Sequence, residues 1–206
     1  AEVVLYDRAT ENRDEIAAKL VAETGRTLVH AYGDPWIIEG QGTAGVEASD
    51  QLQARIGKRP DRIVACCGGG GLAAGLALAC PDAEIYIAEP EGWDDILNSL
   101  AAGEIVGVKD MSYPTYCDAL QTPKTFPINF AVLKERVSGG AAVTTAEVAA
   151  AMRLAFERLH LVVEPGGAAA LAAVLAGKVS VTDRTVVTLS GGNVDRETFV
   201  KLIGAD

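Results

Sequence analysis

Basic residues are scarce in this sequence: 18 Lys and Arg stand against 28 Asp and Glu, a net charge of −10. A sequence-independent nucleic-acid binder needs the opposite surplus to displace phosphate counterions, so that class is excluded. Long apolar runs are missing too. The Ala-rich stretches are broken by Gly, Pro or charge before they reach the ~20 residues of a membrane span. The start, Ala1 and then Glu2-Val3-Val4-Leu5-Tyr6, lacks the basic-then-apolar pattern of a secretory leader. Cysteine and histidine are few, 4 and 2. Cys66, Cys67, Cys80 and Cys117 contain no CxxC pair, which leaves a zinc knuckle or a thioredoxin-type motif without support. Cys66 and Cys67 are adjacent in an apolar run, where alternate side chains face opposite ways and do not bridge. Small buried thiols in a reducing cytoplasm are the expectation. His160, at the end of an Ala-rich helical pattern, reads as structural. What is present is a globular composition, 49% hydrophobic and 22% charged, which excludes disorder as the main state. The 206 residues fall between one domain and two.

Short β-branched runs alternate with longer helical patterns. Residues 2–6, 27–30, 62–67, 84–88 and 184–189 read as strands, with 141–143 as an edge strand. Helical spacing covers 12–23, 35–56 behind an interruption at Gly40-Gln41-Gly42-Thr43, 72–79, 94–101, 165–175 and 195–203. Another helix, carrying Glu147, runs from a Thr144 or Thr145 cap to 159. Residues 104–130, with Gly107, Pro114, Pro123 and Pro127, make a long irregular segment of the kind that is functional in a compact domain. The alternation predicts an α/β fold with a mainly parallel, doubly wound sheet. Ligands in such sheets bind beyond the carboxyl ends of the strands. There the sequence has Gly68-Gly69-Gly70-Gly71, Glu89-Pro90 and Ser190-Gly191-Gly192-Asn193.

The four successive glycines are the strongest single signal. Without Cβ atoms, their amides can converge at a helix start and cradle a phosphate. The plainer alternative is a glycine-rich turn that lets strand and helix pack closely. Gly68-x-Gly70-x-x-Ala73, with Glu89 at the end of the next strand, also fits the loose dinucleotide fingerprint. Against a nicotinamide site stand the further acids Glu91, Asp94 and Asp95, and a Ser190 loop that such a site leaves without a role.

These segments together carry a resemblance. Gly68-Gly69-Gly70-Gly71-Leu72, Val163-Glu164-Pro165-Gly166-Gly167-Ala168 and Ser190-Gly191-Gly192-Asn193-Val194-Asp195 resemble the threonine/serine dehydratase (threonine ammonia-lyase) branch of the fold-type-II pyridoxal-phosphate enzymes, related to serine racemase. Glu39-Gly40-Gln41-Gly42-Thr43, Glu89-Pro90, Cys117-Asp118-Ala119-Leu120-Gln121-Thr122-Pro123 and Pro127-Ile128-Asn129-Phe130 match in order along nearly the whole chain. The resemblance implies that Gly68, Gly69, Gly70, Gly71 and Leu72 wrap the phosphate of pyridoxal 5'-phosphate. It implies that Ser190 hydrogen-bonds the pyridine nitrogen, that Glu164 helps to position the cofactor, and that Tyr32 stacks on the ring or meets its 3-hydroxyl. Relatives with a divalent cation hold it through positions equivalent to Glu89, the Trp93 carbonyl and Asp95, a set suited to Mg²⁺ or Ca²⁺. The bland reading of those acids is a solvated helix start.

The family's Schiff-base lysine lies in an N-terminal Ser-Phe-Lys-x-Arg-Gly-Ala-type segment, and no such segment occurs here. Lys19, Lys58, Lys109, Lys124, Lys134, Lys178 and Lys201 all lack that context. By resemblance the chain corresponds to the C-terminal two-thirds of such an enzyme. Residues 1–34 would close a small domain, and 35–206 would form most of the large cofactor-binding domain. A missing N-terminal segment or partner chain would supply the lysine, and this segment alone would be inactive. The complete protein, a cytoplasmic homodimer or homo-oligomer by expectation, would convert L-threonine or L-serine, small amino-acid substrates, to a 2-oxo acid and ammonia. Racemisation and 3-hydroxyaspartate substrates stay open. Two other classes remain as alternatives: a non-catalytic small-molecule-binding module that keeps these loops, and a nicotinamide-dependent oxidoreductase.

Overall fold

The apolar run after Asp61 forms strand β1 (Arg62–Cys66), and a computed structural model of the protein describes it with residues 2–7 and 10–204 of the chain. β1 lies between β2 (Glu84–Pro90) and β4 (Thr185–Val187), and β3 (Val137–Val143) flanks β2, giving the order β3-β2-β1-β4. Every pairing is parallel. The central strands are buried on both faces, which is why they read as continuous apolar runs rather than as alternating ones. Ile63, Ala65, Cys67, Ile85 and Ile87 point to one face, against Ile38, Ala73, Ala74, Leu76, Ile96 and Leu133. Val64, Cys66 and Ala88 point to the other, against Met152, Ala155 and the alanines 168 to 173. Helices α2 (Pro35–Ile56), α3 (Gly71–Ala79), α4 (Asp95–Ala102) and α5 (Pro127–Arg136) supply the first layer. The second layer is built on α6 (Thr145–Leu159), α7 (Pro165–Leu175) and α8 (Arg196–Ile203). This is the expected doubly wound α/β sheet.

The glycines of 40–43 do not interrupt α2, which runs unbroken for 22 residues from an Asp34 cap to a left-handed Gly57. They are there for contact. A Cβ on Gly75 of α3 would stand 2.5 Å from the Ile38 carbonyl and 2.6 Å from the Gly42 amide, so the two helices cross backbone to backbone. β3 begins four residues earlier than expected, at Val137. Gly139 and Gly140 disguise it, because β propensity is a side-chain property and here the neighbouring strand and Leu97 fill the side-chain space. The irregular segment is shorter than expected: Asp118–Leu120 forms a 3-10 turn, and α5 starts at Pro127. α6 opens on Thr144, one of the two expected caps, which forms a capping box with Glu147, and it ends on His160, which adopts a left-handed conformation (φ 56°).

The chain divides into two compact units, Ala1–His30 and Ala31–Asp206. Within the smaller, α1 (Arg13–Thr24) is capped by Asn12 and Gly25. The predicted strands at 2–6 and 27–30 form no ladder. Two short strands by themselves bury too little to hold a parallel pairing, and Val3, Leu5 and Val29 remain 78%, 89% and 74% exposed.

Candidate functional site

Gly68 to Gly71 leave the end of β1 as a buried loop and turn directly into α3. Gly70 takes a left-handed conformation (φ 89°), which redirects the chain at the helix start. Backbone hydrogen bonds run up to the Cys67 amide, which donates to the Ala88 carbonyl, and resume where the Ala74 amide donates to the Gly70 carbonyl. Among the described residues, the amides from Gly68 to Ala73 form no backbone–backbone bond. A row of free amides at a helix N-terminus is an anion site.

The loop is tightly walled. A Cβ on Gly69 would clash with the Tyr32 ring carbons, and one on Gly71 would lie 3.1 Å from the Tyr32 Cα. Tyr32 therefore lies directly against the glycine backbone. Its ring meets Phe126 edge to face at 5.5 Å, and its carbonyl accepts a 2.9 Å bond from Asn129 Nδ2. The Thr125 hydroxyl donates to the Gly69 carbonyl at 3.0 Å. Gly68 abuts Leu120, and Leu120 in turn reaches Gly166 at the start of α7. The residues quoted only as motif, Leu120 and Asn129, thus form the walls.

Ser190 lies at the end of the neighbouring strand. Its Oγ is 2.9 Å from the Cys66 Sγ, two residues before Gly68, and its amide donates to the Gly167 carbonyl. Glu164 caps the same loop from α7. One carboxylate oxygen accepts the Asn193 amide at 2.8 Å, and the carboxylate would touch any Cβ on Gly191. Gly191 has φ 113°, a conformation that L side chains rarely adopt. The expected residues Gly68 to Leu72, Tyr32, Ser190 and Glu164 therefore come together at adjacent strand ends. Cys66, Thr188 and Thr125 join them unannounced. Only Cys66 had a readable signal, its place two residues before the glycines.

Glu89 and Asp95 lie on the α2/α3 face of the sheet and are not a solvated helix start: they are 0% and 1% exposed. Glu89 receives the Ile96 and Leu97 amides at 3.1 and 2.8 Å and so caps α4 from β2. A ribose-binding acid would need free oxygens facing solvent, which this engagement and burial rule out. Burial above all, and then the Asp95 charge, push the Glu89 carboxyl well above the ordinary range. Neither Asp95 oxygen makes a hydrogen bond of normal geometry, and burial raises its carboxyl to about 7. Trp93 is fully buried, with Nε1 donating to the Tyr113 carbonyl at 2.9 Å. Among the described residues no three His, Cys, Asp or Glu side chains gather as a metal cluster, so a cation here would also need carbonyls and water.

Among the described residues no lysine interaction reaches the loop. Lys134 donates to the Gly103 carbonyl, Lys178 to Glu147 and the Ala142 carbonyl, and Lys201 lies over Tyr116. All four cysteines are free and buried. Among the described residues no helix is long and apolar enough to cross a membrane.

The sequence profile of the family described as pyridoxal-phosphate dependent enzyme matches residues 1–191. A serine racemase of Schizosaccharomyces pombe is 31% identical over 98% of this chain and 62% of its own length. An L-threo-3-hydroxyaspartate ammonia-lyase of a Pseudomonas species is 35% identical over 98% and 63%. Among solved structures, maize serine racemase superposes with a TM-score of 0.84 at 32% identity, over 97% of this chain and 61% of that one. A threonine deaminase of Solanum lycopersicum gives 0.80 at 26%, over 93% and 57%. The chain thus spans somewhat over half the length of each of these proteins.

Proposed function

The chain belongs to the family of pyridoxal-phosphate-dependent enzymes, and from that premise we propose that it holds pyridoxal phosphate for elimination chemistry on a hydroxy-amino acid. The observation that carries this reading is the row of amides from Gly68 to Ala73 without backbone partners, with the Ser190 hydroxyl beside the strand that leads into it. The amides at the start of α3 would take the phosphate, with the helix dipole favouring its charge. Ser190 would donate to the ring nitrogen, and Tyr32 would lie along the ring or meet its 3-hydroxyl. Glu164 acts at one remove. By holding the Asn193 amide it fixes the turn that carries Ser190.

Bound there, the cofactor supplies an electron sink for the α-carbon of an amino acid. A neutral hydroxyl at the ring nitrogen leaves that sink weak, which suits prompt loss of a β-hydroxyl. The chain's own residues bind and orient the cofactor. The lysine that moves the α-proton belongs, on this reading, to sequence outside this chain. For the complete protein we propose conversion of L-threonine or L-serine to a 2-oxo acid and ammonia. 3-Hydroxyaspartate elimination and serine racemisation, the activities for which its relatives are named, are the nearest competitors. Self-association and a reducing cytoplasmic setting belong to the same reading.

The buried acids fit a hard cation. Neither Asp95 oxygen makes a hydrogen bond of normal geometry, a second buried acid stands beside it, and each Glu89 oxygen keeps a lone pair after accepting one amide. Glu89, the Trp93 carbonyl and Asp95, completed by water, would hold Mg²⁺ or Ca²⁺ there.

The test is the complete gene product supplied with pyridoxal phosphate. The expected results are a cofactor absorbance band near the visible edge and 2-oxo acid formed from L-serine or L-threonine. Gly69→Ala, which sets a methyl against Tyr32, should weaken cofactor binding by about tenfold or more, the equivalent of about 1.4 kcal/mol. A protein with neither band nor product would overturn the proposal. A binding module without turnover is the competing reading; it would give the band and no 2-oxo acid.

A further inference from the structure

We infer that Cys66 is a positioning residue for the cofactor: its thiol donates to the Ser190 hydroxyl and leaves the serine's own proton directed to the ring nitrogen. The inference rests on the pyridoxal-phosphate reading above and deepens it.

Cys66 is the last residue of β1, on the α6/α7 face of the sheet, and its Sγ lies 2.9 Å from the Ser190 Oγ. Its amide donates to the Thr188 Oγ1 at 3.3 Å, and the Thr188 hydroxyl is also within reach of the thiol. The sulfur therefore sits between two hydroxyls of the chain leaving β4, on the same backbone that runs on into the glycine loop. The Ser190 backbone is held from behind by the Gly167 carbonyl and in front by Gly191 at φ 113°. What the backbone does not settle is where the hydroxyl proton points.

Either member of the pair can be the donor, and the chemistry of the partners decides between them. A serine hydroxyl carries one proton and two lone pairs, a thiol is a weak donor, and sulfur is a weak acceptor. With a pyridine nitrogen beside it, the serine gains most by sending its proton to that nitrogen and accepting the thiol proton on its own lone pair. The reverse arrangement spends the serine proton on sulfur and turns only lone pairs toward the ring. Burial keeps the thiol protonated at neutral pH: desolvation outweighs the opposing Ser190 and Thr188 hydroxyls and raises its pKa above the ordinary value. A donor chain of this kind polarises along its length, so Ser190 becomes a better donor to the nitrogen.

The measurement uses the complete holoprotein, reconstituted with pyridoxal phosphate carrying an NMR label on the ring nitrogen. Cys66→Ser keeps a donor at this position and Cys66→Ala removes it. In wild type and Cys66→Ser the label should show a hydrogen-bonded, unprotonated nitrogen. In Cys66→Ala its resonance should move toward the free-cofactor position, with cofactor affinity falling roughly 5-fold, the size of one hydrogen bond. The infrared S–H stretch should shift when wild type takes up cofactor, and that response should vanish in Ser190→Ala. An unmoved label in a folded Cys66→Ala protein, or an S–H band indifferent to cofactor, overturns the inference while leaving the functional reading intact. A wild-type protein that takes up no cofactor overturns both.

Discussion

Glu89 and Asp95 show how far a residue's role depends on what surrounds it. Read along the chain they are two acids in a run of acids. In the fold they share a buried site behind the sheet, and neither Asp95 oxygen has a hydrogen bond of normal geometry to offset its burial. An unpaired buried carboxylate is costly, so Mg²⁺ or Ca²⁺ should raise the melting temperature, by the equivalent of about 2.7 kcal/mol at a hundred times the dissociation constant. Asp95→Asn should abolish that rise and, in the presence of a chelator, melt no lower than wild type. A thermal scan with and without the cation checks both. The cysteines answer to burial in the same way. Cys66, Cys67, Cys80 and Cys117 are all buried, and desolvation raises the thiol pKa at Cys66, Cys67 and, to about 11, at Cys117. A thiolate-seeking reagent should therefore leave all four unmodified in the native protein and modify all four in denaturant. Prompt labelling of the native chain would contradict the packing described.

At the scale of elements, the crossing of α2 and α3 is set by glycine. Gly75→Ala would drive a methyl into the Ile38 carbonyl and the Gly42 amide, backbone atoms that cannot step aside. Destabilisation of about 1–3 kcal/mol is expected, the usual cost of overpacking, read from the urea midpoint. Because α3 also presents the loop amides, cofactor affinity should fall with it. The end of α6 offers the opposite change. His160 holds a left-handed conformation that costs an ordinary residue about 1–2 kcal/mol relative to glycine. His160→Gly should therefore raise the melting temperature, less whatever the imidazole contributes to the helix end. A fall would show that the side chain makes an essential contact.

The molecule as a whole is uneven in its stability. β1 and β2 are buried on both faces, whereas α1 has no buried residue. Local opening follows such differences, so amides of Arg13–Thr24 should exchange with solvent orders of magnitude faster than those of β1, by hydrogen-exchange mass spectrometry. Equal protection would mean that α1 is held more firmly than its exposure allows. The sequence by itself determined the layer order and which loops meet at one rim. Apolar runs of strand length alternating with helical spacing admit little besides a parallel sheet covered on both sides, and in such a sheet the loops after β1, β2 and β4 share one rim. Local chemistry also marked the capping box of α6 and the glycines before α3. Contacts distant in sequence were hidden. The glycines of α2 read as an interruption because their partner, Gly75, lies some thirty residues on, and β3 was masked because its side-chain space is filled by other residues. Residues 2–6 and 27–30 look like strands by composition, but a ladder requires neighbours that composition cannot supply. Tertiary structure alone set Glu89 on the amides of α4, buried Asp95 beside it and brought the Cys66 thiol against Ser190. Those are consequences of desolvation and of a few ångströms of approach, which arise only once the chain has folded back on itself.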